Sequence, residues 1–354
     1  MRNPGLPKKK NFEKTIEGKK THLFILRNTN GAFVAVTDYG ARIVSILVPD
    51  KYGNLVDVVL GYNHIDDYIE DDFYFGAIIG RYANRIAKGE FYLNDTLYKI
   101  NPNNNGHALH GGAKGYHNRV WDRRQSFEQN SIDFYLLSAD GDEGFPGELN
   151  IRVNYTLTDD NELIISYRAH ADQDTVLNLT NHTYFNLNGE GEGNILNHRL
   201  KINSSQYLDI DEQLIPTGKI HNIDACPFDF RKFKTIGKDI KADNLQIQFA
   251  NGYDHTYIHD QKEDKALAEI FSPETGIKLK VFTDQAGLQL YTSNYLDCKT
   301  PGKSNVLYGA HSAFCLETQH YPDSPNRSEF PSTLLKKSDE FTSKTVYKFS
   351  FEGK

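Results

Sequence analysis

Cysteine is scarce in this chain of 354 residues: there are three, Cys226, Cys298 and Cys315, far apart and in no CxxC pair. An odd, sparse set excludes a disulfide framework and a thiolate metal site, and the three are expected as buried, inert thiols. Methionine and tryptophan occur once each. No apolar run approaches the ~18 residues needed to cross a bilayer, so no membrane span is expected. Lys8-Lys9-Lys10 near the start are followed by no apolar segment, unlike a signal peptide. A basic excess is also missing: 47 acidic residues face 40 basic ones, a net charge of −7, which excludes a phosphate-backbone binder. Glycine (27) and proline (12) stay at ordinary levels, which excludes a collagen-like or low-complexity chain. Phosphate loop, nucleophile elbow and zinc helix are all absent as motifs. The expectation is a soluble cytoplasmic protein without nucleic-acid or membrane partners; a mature exported form with its signal removed would read the same.

What is present is aromatic and imidazole: 21 Tyr, 21 Phe and 13 His. Aromatics favour strands, and histidines provide groups for proton chemistry. Short β-type runs recur at 22–26, 33–37, 42–48, 56–60, 134–137, 149–157, 163–169, 278–282, 288–292 and 345–351. The run 149–157 alternates apolar and polar, and Asp159-Asp160-Asn161 links it to 163–169 as a hairpin. Helical signals are few, at 66–70 and 332–335. Neither strand–helix alternation nor a linker divides the chain. The expected architecture is therefore all-β, one large antiparallel β-sandwich spanning 1–354, with 1–14 as a peripheral N-terminal extension.

Several polar clusters compete with plain structural readings. Gly189-Glu190-Gly191-Glu192-Gly193 looks like a phosphate loop, but its glutamates repel phosphate, and an exposed turn is expected. Asp140-Gly141-Asp142-Glu143-Gly144 lacks the twelve-residue spacing of a calcium loop and is expected to close a hairpin. Gly80-Arg81-Tyr82-Ala83-Asn84-Arg85-Ile86 follows an apolar run, and by itself reads as a surface turn with solvated arginines. His107 and His110 lack a nearby third ligand, so a metal site is not expected there. Asn178-Leu179-Thr180-Asn181-His182-Thr183-Tyr184-Phe185-Asn186 gathers the amides, hydroxyls and rings that suit a polyhydroxylated ligand. Within Cys315-Leu316-Glu317-Thr318-Gln319-His320-Tyr321-Pro322-Asp323, a strand would place Cys315 and Glu317 on one side and bury the carboxylate in part. Spacing by itself leaves His182 and Glu317 open between structural and chemical roles.

Together these clusters resemble the aldose 1-epimerase (galactose mutarotase) family. The matching segments are 80–86 with Lys88-Gly89, 109–112, 178–186, Asp254-His255-Thr256-Tyr257, 287–294 and 315–323, in the family's order across about 15–351. The resemblance implies a large sandwich with an open sugar-binding cleft, working without cofactor or metal on a small-molecule aldose, as a monomer or homodimer. It implies interconversion of the α and β anomers of hexoses such as galactose and glucose. By position, Glu317 corresponds to the catalytic base and His182 to the general acid. Asn84, Arg85, His110, Asp254 and Gln289 correspond to substrate-holding groups. Tyr82 stands where the family motif commonly has valine, which predicts an altered cleft shape.

That chemistry removes the proton of the anomeric hydroxyl while protonating the ring oxygen, lets the aldehyde rotate, and closes the ring on the other face. One base and one acid on opposite sides of the sugar suffice, each contributing about 10²–10⁴-fold. In the productive state Glu317 is ionised and His182 protonated. A glycoside hydrolase, with Glu317 and Asp254 as its two carboxyls, is the competing enzyme reading. A non-catalytic sugar-binding module is the other. A relative acting on hexose 6-phosphates would need basic residues beyond Arg81 and Arg85.

Overall fold

The computed structural model describes residues 5–260 and 265–351, so residues 1–4 of the expected extension lie outside the described residues. Three antiparallel sheets dominate. The largest has nine strands in the order Asp122–Ser126, Ser131–Ser138, Leu149–Leu157, Glu162–Ala171, Glu340–Phe351, Ile277–Thr283, Ala268–Phe271, Arg199–Ile202 and Lys234–Thr235. A five-stranded sheet runs Pro216–Asn222, Gln206–Ile210, Asp254–Ile258, Gly287–Tyr291 and Cys315–Gln319. A four-stranded meander comprises Leu23–Arg27, Phe33–Thr37, Arg42–Pro49 and Leu55–Asp57.

Period-two patterning explains how these sheets meet. Along Leu149–Leu157 the residues Leu149, Ile151, Val153, Tyr155 and Leu157 are all buried, while those between them are exposed or half-buried. Each such side chain contributes about 1.5–3 kcal/mol by leaving water. One continuous apolar cluster takes in this face together with Val34 and Ile43 of the meander and Tyr257, Leu288, Leu290 and Leu316 of the five-stranded sheet. Polar pins cross the same layer: the Tyr155 hydroxyl donates to the Ala41 carbonyl, and the Tyr347 hydroxyl to that of Leu316, at 2.8 and 3.1 Å. The expected all-β sandwich is what forms. The hairpin joining Leu149–Leu157 to Glu162–Ala171 turns through Asn161 at φ +58°, and the helix Ile65–Ile69 lies where 66–70 is expected.

Three local expectations differ from the structure. Residues 332–335 form no helix: Leu334–Leu335 is a short strand on Thr175–Val176, because four residues gain too few helical bonds to offset nucleation against a ready strand partner. The helix Leu245–Ala250 was not expected; its signal is Asn244, whose side chain caps the amides of Gln246 and Ile247. Finally, Phe12, inside the expected peripheral extension, is fully buried and packs against Tyr68. No helix among the described residues is long and apolar enough to cross a membrane.

Candidate active site

The five-stranded sheet turns one face to its apolar core and the other to a cleft of about 680 Å³, a size usual for small-molecule sites. Strand register decides which residues face the cleft. Gln289 lies opposite both Thr256 and Glu317, and Tyr291 lies opposite both Asp254 and Cys315. Directly paired residues share a face, as do residues two apart. Asp254, Thr256, Gln289, Tyr291, Cys315 and Glu317 therefore project together, while Tyr257, Leu288, Leu290 and Leu316 point inward. Gln289 sits beneath the cleft floor: its carbonyl accepts the Thr256 hydroxyl, and its amide donates to Asp254 Oδ1 at 2.7 Å.

Two short ladders supply the opposite wall. Arg85–Ile86 pairs with Ala108–Leu109, and Thr180–Asn181 pairs with Ile78–Ile79, so that Asn84, His110 and His182 emerge at strand ends. Asn84 and His110 both have left-handed backbone, φ +63° and +53°, and lock each other. The His110 amide donates to the Asn84 carbonyl, and the Asn84 amide donates to His110 Nδ1, at 3.1 and 3.2 Å. The next residue must be glycine: at Gly111, φ +83°, a Cβ would lie 2.1 Å from the Gly80 carbonyl oxygen. Asp323 clamps the same wall, its amide donating to the Arg85 carbonyl and its carboxylate accepting the Ala87 amide.

Across the cleft, His182 Nε2 lies 3.7 Å from Glu317 Oε1, and Arg85 Nη1 lies 4.0 Å from Asp254 Oδ2. The His182 imidazole and the Glu317 carboxylate thus approach more closely than the width of a sugar ring. Arg85 Nε and Glu317 Oε2 are buried without a protein hydrogen-bond partner. Such unpaired groups are costly unless a ligand satisfies them. His182 is wedged between rings: Tyr184 stacks on it at 5.0 Å and 28°, His110 meets it edge-on at 5.1 Å, and Tyr74 lies at 5.9 Å.

Burial governs the protonation of this group. It pushes the Glu317 carboxyl well above the usual carboxylate range; the Asp254 charge adds to this, and Arg85 opposes it. Burial also raises Asp254, against the pull of Arg85 and Gln289. The same desolvation takes His182 down to about 4, with Arg42 contributing, and lowers His110 far below its ordinary value. Burial thus disfavours the charged form of both partners, whereas the productive arrangement expected from the chemistry charges both; passing one proton between Glu317 and His182 leaves the net charge of the pair unchanged.

His110, His182 and Glu317 also offer three donor atoms within 4.8 Å of one another, the composition of a metal site. The chemistry of the set opposes it. His110 Nδ1 is occupied by the Asn84 amide, so the neutral ring carries its proton on Nε2 and faces the cleft as a donor. The neighbours of His110 also replace the pairing considered with His107: His107 Nδ1 accepts the Lys88 amide and Nε2 meets Gln213.

Of the residues singled out by sequence, Asn84, Arg85, His110, His182, Asp254 and Glu317 line the cleft together. Arg81 does not, and the solvated-turn reading fails for it: its guanidinium is buried, donating to the Pro146 and Gly147 carbonyls and to the Ser138 hydroxyl. Tyr82 leaves the cleft shape untouched, being buried with its hydroxyl on the Tyr321 carbonyl. Glu190, expected on an exposed turn, is buried and accepts from Ser304 and Tyr308. The loop at Asp142–Gly144 does close the hairpin between Ser131–Ser138 and Leu149–Leu157. Sequence reasoning missed Tyr74 and His117, whose rings meet edge-on at 4.7 Å in the cleft wall.

Comparison with known proteins identifies the family. Residues 22–348 match the family model described as Aldose 1-epimerase. The chain is 44% identical to galactose mutarotase of Bos taurus over 318 residues, covering 90% of this chain and 91% of that one. It is 43% identical to aldose 1-epimerase of Haemophilus influenzae over 317 residues, 89% and 91% of the two chains. Among solved structures, an aldose epimerase homologue from C. elegans superposes with TM-score 0.87 at 32% identity, over 94% of this chain and 99% of that one. Galactose 1-epimerase from Lactobacillus acidophilus gives TM-score 0.85 at 28% identity, over 96% and 97%. The chain belongs to the aldose 1-epimerase family and is an isomerase of that class.

Proposed function

We propose that the cleft holds one hexose pyranose, such as galactose or glucose, with Glu317 as the base at the anomeric hydroxyl and His182 as the acid at the ring oxygen. The observation that carries this reading is the 3.7 Å approach of His182 Nε2 to Glu317 Oε1. The two oxygens to be served are bonded to the same carbon, so their proton partners must be neighbours. A glycoside hydrolase needs carboxyls about 5–5.5 or 6.5–9.5 Å apart around a bond, and here the second partner is an imidazole.

The remaining groups hold the sugar while C1 turns. The unpaired Arg85 Nε and the cleft-facing Nε2–H of His110 donate, Asn84 lies beside them, and Asp254 accepts. Gln289 acts through Asp254 by fixing its carboxylate. Asp71, Asp72 and Glu212 also line the cleft, against Arg85 as the one arginine or lysine there among the described residues. That balance favours a neutral sugar over a phosphorylated one.

Polarimetry of freshly dissolved α-galactose and α-glucose tests the reading. Added enzyme is expected to speed the approach to an unchanged final rotation, in proportion to its concentration. Absence of acceleration with every aldose tried, or release of reducing sugar from a disaccharide, overturns it.

A further inference from the structure

Cys315 is part of the segment that carries Glu317, yet the acid–base scheme gives it nothing to do. Its side chain is fully buried on the cleft face of its strand, two residues from Glu317. Its Sγ lies 3.6 Å from Nδ1 of His182, the nitrogen turned away from Glu317. The Tyr184 stack fixes the plane of the imidazole but is blind to a half-turn of the ring about its Cβ–Cγ bond. Contacts at the ring edge distinguish the two orientations: Nε2 toward Glu317, and Nδ1 toward Cys315 and the backbone of His182 itself.

We propose that Cys315 is a positioning residue whose sulfur holds the Nδ1 proton of His182, leaving Nε2 as the one nitrogen that exchanges protons with the sugar. This rests on the reading of His182 as the general acid. During ring opening Nε2 gives its proton to the ring oxygen, and the C1 hydroxyl proton goes to Glu317. The neutral ring then keeps its proton on Nδ1 against sulfur and presents the Nε2 lone pair. Ring closure reverses both transfers, so the protons balance over a cycle. If the thiol instead donated to Nδ1, the neutral ring would carry its proton on Nε2 and could not take one back from the substrate.

A sulfur suits this place better than an oxygen anion. A carboxylate on Nδ1 would hold the same tautomer but raise ring basicity, making His182 a poorer acid. The thiol stays uncharged, since burial and the nearby Glu317 and Asp254 all push its ionisation well above the ordinary thiol range. A single strand thus carries the base and the group that orients the acid.

The test uses the full chain labelled with ¹⁵N in its histidine rings, with long-range ¹H–¹⁵N spectra reading the tautomer; the His182 signals are those lost in His182→Asn. The neutral wild-type ring is expected to carry its proton on Nδ1. Cys315→Ala is expected to show a mixture of tautomers and a kcat lower by about tenfold, with KM within about twofold. Cys315→Ser, which keeps an acceptor, is expected to restore the Nδ1–H form and kcat to within about threefold of wild type. A wild-type ring protonated on Nε2 overturns the proposal, even if Cys315→Ala does not fold. So does a Cys315→Ala enzyme with wild-type kcat. The spectrum needs no sugar, so a wrong mutarotase reading shows separately, as a wild-type protein that accelerates no aldose.

Discussion

Replacing Glu317 by Gln removes the base while nearly preserving shape, and the structure predicts opposite effects on rate and stability. Oε2 is buried and unpaired, and Oε1 faces His182. An amide fits this space but cannot take the anomeric proton, so turnover should fall by at least ~10²-fold. Stability should move the other way. The folded-state pKa of Glu317 is raised, so above the unfolded value the native state holds a proton that the unfolded chain has released. Stability of the wild type then falls as pH rises from about 4.5 toward the raised value. Gln carries no such penalty. Each pK unit of elevation corresponds to about 1.4 kcal/mol, and at this chain length 1 kcal/mol moves Tm by about 1–2 °C. Thermal melts of both proteins from pH 5 to 8 should show Glu317→Gln gaining on wild type as pH increases, alongside polarimetric rates near background. A variant retaining a tenth of the activity refutes the assignment of the base. A Tm difference that is negative or independent of pH refutes the account of its burial.

His182→Asn should also lose at least ~10²-fold in polarimetric rate while its far-UV spectrum stays that of the wild type. The pH dependence of kcat/KM should be flat through 6.5, because the competent pair carries one proton and gains a second only near the value of about 4 at His182. It should fall on the alkaline side, where the raised Glu317 loses that proton; an inflection near 6.5 would instead show a solvated histidine. Dialysis against EDTA should leave the rate unchanged, since His110 faces the cleft through a protonated nitrogen; loss restored by added metal would contradict that tautomer. Gln289→Leu should raise KM more than it lowers kcat, because it frees Asp254 without touching the reacting oxygens; a pure kcat effect would place Gln289 in the chemistry.

How much of this was legible in the sequence depends on how local each feature is. Leu149–Leu157 could be read because one buried face imposes period two on consecutive residues. Glu317 and Cys315 could be placed on one side of a strand for the same reason. The cleft residues were placed by the resemblance of the motif segments to the aldose 1-epimerase family, since spacing by itself left His182 and Glu317 open. Arg81 could not be read: nothing local marks a guanidinium whose partners are carbonyls at 146 and 147 and a hydroxyl at 138. Tyr74 and His117 escaped because they enter the wall through a left-handed turn and a 3₁₀ segment, neither of which has a periodic pattern.

The protonation state of the acid–base pair is the least local property of all. The reaction expects an ionised glutamate and a protonated histidine, whereas in water near pH 7 a free glutamate is ionised and a free imidazole is mostly neutral. The fold removes both from water on the cleft face of one sheet and against a stack of rings, so neither charge stands unaided. What the pair retains is a single proton that either partner can hold at equal net charge. A mutarotase needs that economy, since ring opening and ring closure are the same transfers run in opposite directions. A site with one firmly ionised and one firmly protonated partner would favour only one of them.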